Sequence, residues 1–272
     1  MNIRHWFLPL RLISIFLGGL SLLAASLWHT GDRVGLGFAV VHFLLLFGSN
    51  LGVTTILNKY TSPLHSPWEN RFITTSILFL LFDSLTPWWA FIFLGASTRL
   101  LESFVRLPSG PVFNPAALGS LLLCTLGVFP TWWGTDFAPR FTLFQIDLSI
   151  AFLLTLFIAG FVAYRYRKTP LILAGFSVFA LTSFFLTGEN PLSLMLNGAF
   201  LFFFLVMAIE PKTSTNKIED QLIYGSIIGA SIPILLQIHF LEASLGALLL
   251  ANVYSRGKEF WLYQAKRFFK SV

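Results

Sequence analysis

Long apolar segments follow one another along almost the whole chain, and they limit its possible folds more than any other feature. A helix needs about 20 mostly apolar residues to cross the hydrocarbon core of a bilayer. The sequence predicts about ten such helices, near 12–29, 34–57, 72–85, 87–101, 115–129, 146–164, 171–187, 191–209, 221–238 and 241–254. Because 56% of the residues are hydrophobic and only 11% are charged, we expect an all-α, multi-pass membrane protein.

The segment 72–101 is too long for one crossing and short for two. Asp83, Thr86 and Pro87 interrupt it near the middle, and a residue before proline is disfavoured in a helix. We therefore predict two short or broken helices here. One long span followed by a re-entrant piece is the alternative.

The positive charges are distributed unevenly between the two sides of this predicted map. All but two of the 18 lysines and arginines fall on one side, and the exceptions are Arg33 and Arg140. Basic loops mark the cytoplasmic side, so we expect both termini to be cytoplasmic. The net charge of +6 is therefore attributed to membrane topology and not to nucleic-acid binding. The basic, aromatic tail 255–272 is predicted to anchor at the lipid surface, with a docking face for a partner as the alternative.

Two apolar runs with similar endings suggest an internal repeat. Phe72–Phe82 precedes Asp83 and Ser84, and Gly198–Ile209 precedes Glu210 and Pro211. The two runs belong to the third and eighth predicted spans, which have opposite orientations. This arrangement is typical of inverted repeats whose broken helices meet near the membrane midplane, although two short runs can also match by chance. We predict one membrane domain with halves at 12–129 and 146–254.

The stretch from Arg99 to Gly119 concentrates polar residues between two apolar segments. Asn114 suits a helix N-cap and Pro115 suits the first helical position, so a helix is predicted to begin abruptly after irregular backbone. Irregular backbone at membrane depth requires protein or a polar cavity around it. A helix N-terminus facing such a cavity can bind an anion, a phosphate or a polar head group. An ordinary loop before a well-capped helix is the alternative.

Ionisable residues within or at the ends of spans are costly, and they are candidates for an ion path or gate. Arg99, Glu102 and Arg106 would share one face if their helix continued, either as a gate or phosphate clamp or as a salt-bridged helix end. The full set of path or gate candidates is Asp83, Arg99, Glu102, Arg106 and Glu210. The sequence has no motif typical of a soluble enzyme, so we predict no catalytic residue and no metal ligand.

The segment Ser109–Gly119 resembles the Phe-Asn-Pro-Ala motif of the NqrB/RnfD family. These proteins are the flavin-bearing membrane subunits of the Rnf and sodium-pumping NADH:quinone oxidoreductase complexes. A second segment, Met207–Ser214 followed by Gln221–Gly225, resembles the family's Ala-Thr-Asp-Pro-Val-Thr-Ser segment and the Gly-rich helix after it. The resemblance covers residues 70–254.

The resemblance implies a ten-helix fold of two inverted five-helix halves, similar to urea transporters, in a bacterial inner membrane. It also implies electron transfer from a ferredoxin or nicotinamide donor, coupled to Na⁺ or H⁺, with other membrane and soluble subunits of a redox complex as partners. The chain has no nicotinamide-binding motif, so soluble partners would supply that chemistry. Whether the chain is an enzyme subunit is left open.

The family carries FMN on the Thr of a Ser-Gly-Ala-Thr motif, and this chain departs from that pattern. The corresponding segment, 130–139, keeps only Gly134-Thr135, and the family's Asp is replaced by Glu210. We therefore expect a divergent member whose flavin, FMN or riboflavin, is non-covalent if present. The flavin-binding candidates that the resemblance implies are Ser109, Gly110, Phe113, Asn114, Pro115, Thr135, Glu210, Thr213 and Ser214. The alternatives are a channel or transporter for a small solute or ion on the same fold, and a membrane anchor for a soluble reductase.

Overall fold

A computed structural model describes residues 9–27, 36–60, 68–83, 85–108, 110–135, 140–142, 145–147, 150–188 and 190–271. These residues are mostly helical, which confirms the predicted all-α class. The helices are α1 (Pro9–Leu27), α2 (Leu36–Tyr60), α3 (Trp68–Leu81), α4 (Trp88–Phe104), α5 (Pro115–Cys124), α6 (Ile150–Arg165), α7 (Thr169–Thr187), α8 (Leu192–Met195), α9 (Gly198–Phe202), α10 (Ile218–Gln237) and α11 (Ala243–Ser271).

Each predicted apolar segment contains a helix, and the segment 72–101, which is too long for one crossing and short for two, contains two helices. The chain leaves α3 at Leu81, and Asp83 Oδ1 then accepts hydrogen bonds from the backbone N–H groups of Leu85 and Thr86 at 3.0 and 3.1 Å. This Asp turn and Pro87 separate α3 from α4. The prediction of two short helices is confirmed.

The predicted helix 191–209 is divided where the sequence reads Asn197-Gly198. Asn197 caps α9 through a 2.8 Å hydrogen bond from the Ala199 N–H to its side chain. A π-helical turn, Phe203–Met207, then continues α9. A prediction of one continuous helix was therefore wrong here, because the Asn side chain competes with the helix backbone for hydrogen bonds.

Three other segments differ from their predicted form. The Gly- and Pro-rich stretch after α4 contains a short antiparallel pair, β1 (Arg106–Leu107) and β2 (Gly110–Pro111). A second pair, β3 (Arg140–Thr142) and β4 (Gln145–Asp147), lies before α6. The helix α11 continues through the predicted tail to Ser271, so residue 254 is not a helix end.

The runs that suggested an internal repeat form the centre of the molecule. Every residue from 75 to 82 is buried, and so is every residue from 201 to 209. These runs belong to α3 and to α9 with its π-helical turn. A 3₁₀ turn, Trp133–Thr135, lies between α5 and β3. Trp132, just before this turn, contacts Phe203 of the second run, with ring centroids 6.4 Å apart.

Glycines allow one pair of helices in each half to approach closely. A Cβ on Gly95 of α4 would overlap the carbonyl oxygen of Leu46 in α2. A Cβ on Gly225 of α10 would likewise overlap the carbonyl oxygen of Leu171 in α7. Close backbone approach at small residues is the usual way helices associate inside membranes.

Among the described residues, two helices are long and apolar enough to cross a bilayer, over Gly37–Tyr60 and Thr169–Thr187. Both expose large apolar side chains, such as Phe38 and Leu44 on α2 and Leu173 and Phe185 on α7. The shorter apolar helices are Leu12–Leu22, Pro115–Cys124, Leu156–Arg165 and Gly198–Met207. The two longer helices agree with membrane association, and the number of crossings stays a prediction.

Candidate functional site

Two segments that are far apart in the sequence meet at the start of α5. Asn114 Nδ2 donates a hydrogen bond to Glu210 Oε2 at 2.7 Å, across 96 positions of the chain. Asn114 belongs to the Phe-Asn-Pro-Ala segment and Glu210 to the Glu-Pro-Lys-Thr-Ser segment. The structure thus brings together the two segments singled out from the sequence, and this contact is the centre of the candidate site.

Asn114 is held in place as the N-cap of α5. Its Oδ1 accepts a hydrogen bond from the Ala117 N–H at 3.0 Å, and Pro115 is the first helical residue, as predicted. Asn114 and Pro115 are buried, and the preceding Phe113 is partly buried. Because capping uses Oδ1, the amide Nδ2 is left to reach across to Glu210.

A chain of hydrogen bonds ties this cap to two later helices. The backbone N–H of Asn114 donates to Asn252 Oδ1 of α11 at 2.7 Å. Asn252 Nδ2 then donates to the hydroxyl of Tyr224 in α10 at 2.6 Å. Both side chains are completely buried. Neither was predicted as a site residue, although Asn252 is an amide within an apolar run, and that signal could have identified it.

Glu210 begins a loop that folds back on its own backbone. The Ser214 hydroxyl donates to the Glu210 carbonyl at 2.8 Å, and the Thr213 hydroxyl donates to Glu210 Oε2 at 3.4 Å. Burial raises the pKa of the Glu210 carboxyl, while the positive charge of Lys212 opposes that rise. The predicted residues Thr213 and Ser214 therefore shape the loop that presents the carboxyl group.

Glu102 joins the end of α4 to the same loop. Its carboxylate forms ion pairs with Arg99 Nη1 at 2.9 Å and with Lys212 Nζ at 3.0 Å. The predicted pairing of Arg99 with Glu102 on one helix face is confirmed. Arg106 does not share that face, because α4 ends at Phe104 and Arg106 lies exposed in β1. The predicted three-residue face was wrong at this position.

The hairpin before α5 lies against the loop that follows Glu210. Gly110 has φ +148°, and a Cβ built on it would lie 3.6 Å from Arg256 Nη2 and 3.8 Å from the Lys212 carbonyl oxygen. This positive φ favours glycine because other residues rarely adopt it. The structure thus places Gly110 beside the site. Ser109, the other hairpin candidate, lies outside the described residues.

Two predicted site residues, Asp83 and Thr135, lie away from this cluster, near the other end of α3. Arg71, in the first turn of α3, interacts electrostatically with Glu102, so that end of α3 faces the site. Leu81 lies about 15 Å further along the helix axis. Asp83, two residues after Leu81, accepts hydrogen bonds in a local turn, so the structure does not bring it together with Glu102 and Glu210. Its role in an ion path or gate stays a prediction.

Thr135 also lies near that far end of α3. It is buried in the 3₁₀ turn, where its hydroxyl donates to the Trp132 carbonyl at 2.7 Å. The Trp132 N–H in turn donates to the Leu81 carbonyl at 2.9 Å. The structure does not bring Thr135 together with Asn114 and Glu210, and its role as a flavin ligand stays a prediction.

A lysine that the sequence analysis did not single out fixes the other end of the loop. Lys168, between α6 and α7, is completely buried, and its Nζ donates to the Thr215 carbonyl and, at 2.9 Å, to Asn216 Oδ1. Burial, with the charge of Arg256, lowers the pKa of Lys168 to about 8. In the sequence it is one of several basic residues that look like cytoplasmic loop charges, which is why it was missed.

The fold and the site together define a helical protein in which a capped helix meets a partly buried carboxyl group within a hydrogen-bonded cluster of amides and hydroxyls. Compared with protein-family models, the sequence matches none, and it has no match among curated proteins. The resemblance to the NqrB/RnfD family therefore rests on the two segments that meet here, and it stays a prediction.

Proposed function

We propose that this protein is a membrane-embedded subunit of an Rnf/Nqr-like electron-transfer complex. The observation that carries the proposal is the 2.7 Å hydrogen bond between Asn114 and Glu210. The two segments that resemble the family are unrelated in sequence position, yet their polar residues form one cluster. A chance match of two short motifs gives no reason for such a meeting.

The proposal includes a fold of ten crossings in two inverted five-helix halves, similar to urea transporters. Its support is the correspondence between helix pairs: α2 packs on α4 at Gly95, and α7 packs on α10 at Gly225. In each half these are the second and fourth helices, and the third is the buried one. Because each half has five helices, the second half would run in the opposite direction through the membrane.

The residues of the cluster fit a non-covalent flavin in chemical kind. The Asn114 amide and the hydroxyls of Thr213 and Ser214 match the hydrogen-bonding atoms of a flavin ring, and Lys212 adds a positive charge. A flavin bound there would accept and pass on electrons. Covalent attachment at Thr135 is not part of the proposal, since that hydroxyl lies near the other end of α3.

The remaining assignments follow from the charge distribution. We place the protein in a bacterial inner membrane, with both termini in the cytoplasm. Soluble subunits would bind the cytoplasmic loops and the basic, aromatic end of α11. Coupling to Na⁺ or H⁺ would use the carboxyl groups of Glu210 and Glu102, which both interact with Lys212.

The test is to purify the protein in detergent, precipitate it with acid, and measure flavin fluorescence in the supernatant and on the denatured gel band. We expect flavin in the supernatant only. Glu210→Gln should release or lose flavin, whereas the matched control Glu219→Gln, at an exposed position in the first turn of α10, should not. Folded, freshly made protein without flavin in either fraction would refute the proposal.

A transporter of a small solute or ion is the second candidate, and one observation favours it. The network Tyr224–Asn252–Asn114–Glu210, of which only Glu210 is not fully buried, provides a row of polar groups within an apolar interior. Such rows mark solute or ion paths in membrane proteins. Flux in proteoliposomes that Glu210→Gln abolishes and Glu219→Gln preserves, from flavin-free protein, would select this function.

A further inference from the structure

The guanidinium group of Arg99 has one edge that no group in the described part of the chain satisfies. Its Nη1 pairs with Glu102, but Nε and Nη2 are buried and have no hydrogen-bond partner among the residues that the structure describes. Arg99 is the largest fully buried side chain among the described residues, with 1% of its side chain exposed. An arginine is always charged, so two buried N–H donors without an acceptor are costly.

The two unsatisfied nitrogens belong to the same edge of the guanidinium plane. Nε–H and the nearer N–H of Nη2 point in parallel, and this is a fork that binds two oxygens of one oxyanion. The partner that Arg99 does have, Glu102, takes Nη1 and leaves the fork unused. This edge of the guanidinium group therefore suits a ligand with at least two oxygen acceptors.

The charges around Arg99 favour a doubly charged ligand over a singly charged one. Glu102 is shared between Arg99 and Lys212, and Arg71 interacts electrostatically with both Arg99 and Glu102. These four side chains carry three positive charges against one negative charge. A phosphate dianion would balance this excess more completely than a carboxylate.

Exposure increases step by step from Arg99 towards the surface. The side chain of Arg99 is 1% exposed, that of Glu102 is 17% exposed and that of Lys212 is 28% exposed. We propose that the fork edge of Arg99 is a binding site for a phosphate group, reached from the surface past Lys212 and Glu102. The phosphate would come from a soluble phosphorylated compound or from a lipid whose headgroup is a phosphate monoester. The site does not depend on a bound flavin.

The first test uses inorganic phosphate and detergent-purified protein. Phosphate at millimolar concentration should raise the melting temperature in a saturable manner, beyond sodium chloride of equal ionic strength. Arg99→Lys keeps the charge but loses the fork, so phosphate should bind about tenfold more weakly or worse. The matched control, Arg165→Lys at an exposed position at the end of α6, should behave as the wild type.

A variant of opposite sign separates binding from a purely structural role. Glu102→Gln removes the negative charge that competes for Arg99, so phosphate should bind more tightly, by a few-fold. A residue that only holds the fold together would not gain affinity for phosphate when its partner is neutralised.

Lipid nanodiscs identify the source of the phosphate. If the source is a lipid, phosphatidic acid nanodiscs should stabilise the wild type relative to phosphatidylcholine nanodiscs, Arg99→Lys should lose that difference, and added inorganic phosphate should have no further effect. If the source is soluble, only inorganic phosphate should act. The proposal is overturned if neither stabilises the wild type beyond chloride, or if Arg99→Lys responds as the wild type does. The flavin assay is separate, so either proposal can fail alone.

Discussion

Replacing Asn252 with alanine would remove the amide that joins α5 to α10. In the native structure the Asn252 side chain accepts from the Asn114 backbone N–H at 2.7 Å and donates to the Tyr224 hydroxyl at 2.6 Å. All three residues are buried. The alanine variant would leave both partners in the interior without this hydrogen bond, and the Asn114 N–H has no freedom to turn elsewhere.

The expected loss follows from two unequal terms. A buried donor left without a partner costs about 1–3 kcal/mol. Hydrogen bonds between helices in membranes average only about 0.6 kcal/mol, because side chains also find partners in the unfolded state. The fixed backbone N–H of Asn114 belongs to the first case, and the rotatable hydroxyl of Tyr224 belongs to the second. We therefore expect Asn252→Ala to lower the free energy of unfolding by about 2–3 kcal/mol.

The assay is denaturant unfolding in detergent, followed by tryptophan fluorescence. The matched control is Asn58→Ala, which changes an exposed asparagine of α2 and should have little effect. A double-mutant cycle with Tyr224→Phe should give a coupling of about 0.5–1 kcal/mol between Asn252 and Tyr224. The reasoning fails if Asn252→Ala loses no more stability than Asn58→Ala, or if the coupling is zero.

Three further predictions concern other parts of the molecule. Gly225→Ala should destabilise the protein by at least about 2 kcal/mol, because the new Cβ would overlap the Leu171 carbonyl and force α7 from α10; Gly160→Ala, with open space, is the control in the same unfolding assay. Stability should rise as the pH increases from about 8, since protonated Lys168 is disfavoured by burial in the folded state, and Lys168→Gln should abolish that rise in pH-dependent unfolding curves. Thr135→Ala should leave the amount of flavin in the supernatant unchanged.

The helices could be located from the sequence because each lies in a long apolar run. The break between α3 and α4 was visible in Asp83 and Pro87, whose effects on the backbone are local. The break at Asn197 had a similar local signal, but the apolar residues around it concealed it. The π-helical turn after it had no local signal in the sequence. Its Phe203 and Phe204 are packed in the core, and apolar residues of this kind are equally typical of an ordinary α-helix.

The candidate site could be predicted only in its separate pieces. Spacing along one helix correctly paired Arg99 with Glu102, and capping rules correctly described Asn114. The meeting of Asn114 with Glu210 depends on how distant helices pack, which no local rule describes. Lys168 was missed for a related reason: a basic residue next to a span looks the same in the sequence whether it faces water or fastens a buried loop.

In the proposed repeat, α5 and α11 occupy equivalent places, so Asn114 before α5 corresponds to Glu242 before α11. Asn114 contacts Glu210, which follows the third helix of the other half. Glu242 accepts a hydrogen bond from the Trp132 side chain, and the backbone N–H of Trp132 donates to the carbonyl of Leu81. Leu81 ends α3, which is the third helix of the other half. Each fifth helix thus begins beside the end of the other half's third helix. Inversion would put these two contacts on opposite membrane faces. Arginine and lysine side chains surround the contact of Asn114 with Glu210, whereas tryptophan covers the contact at Glu242. A charged ligand would therefore be bound from the first face.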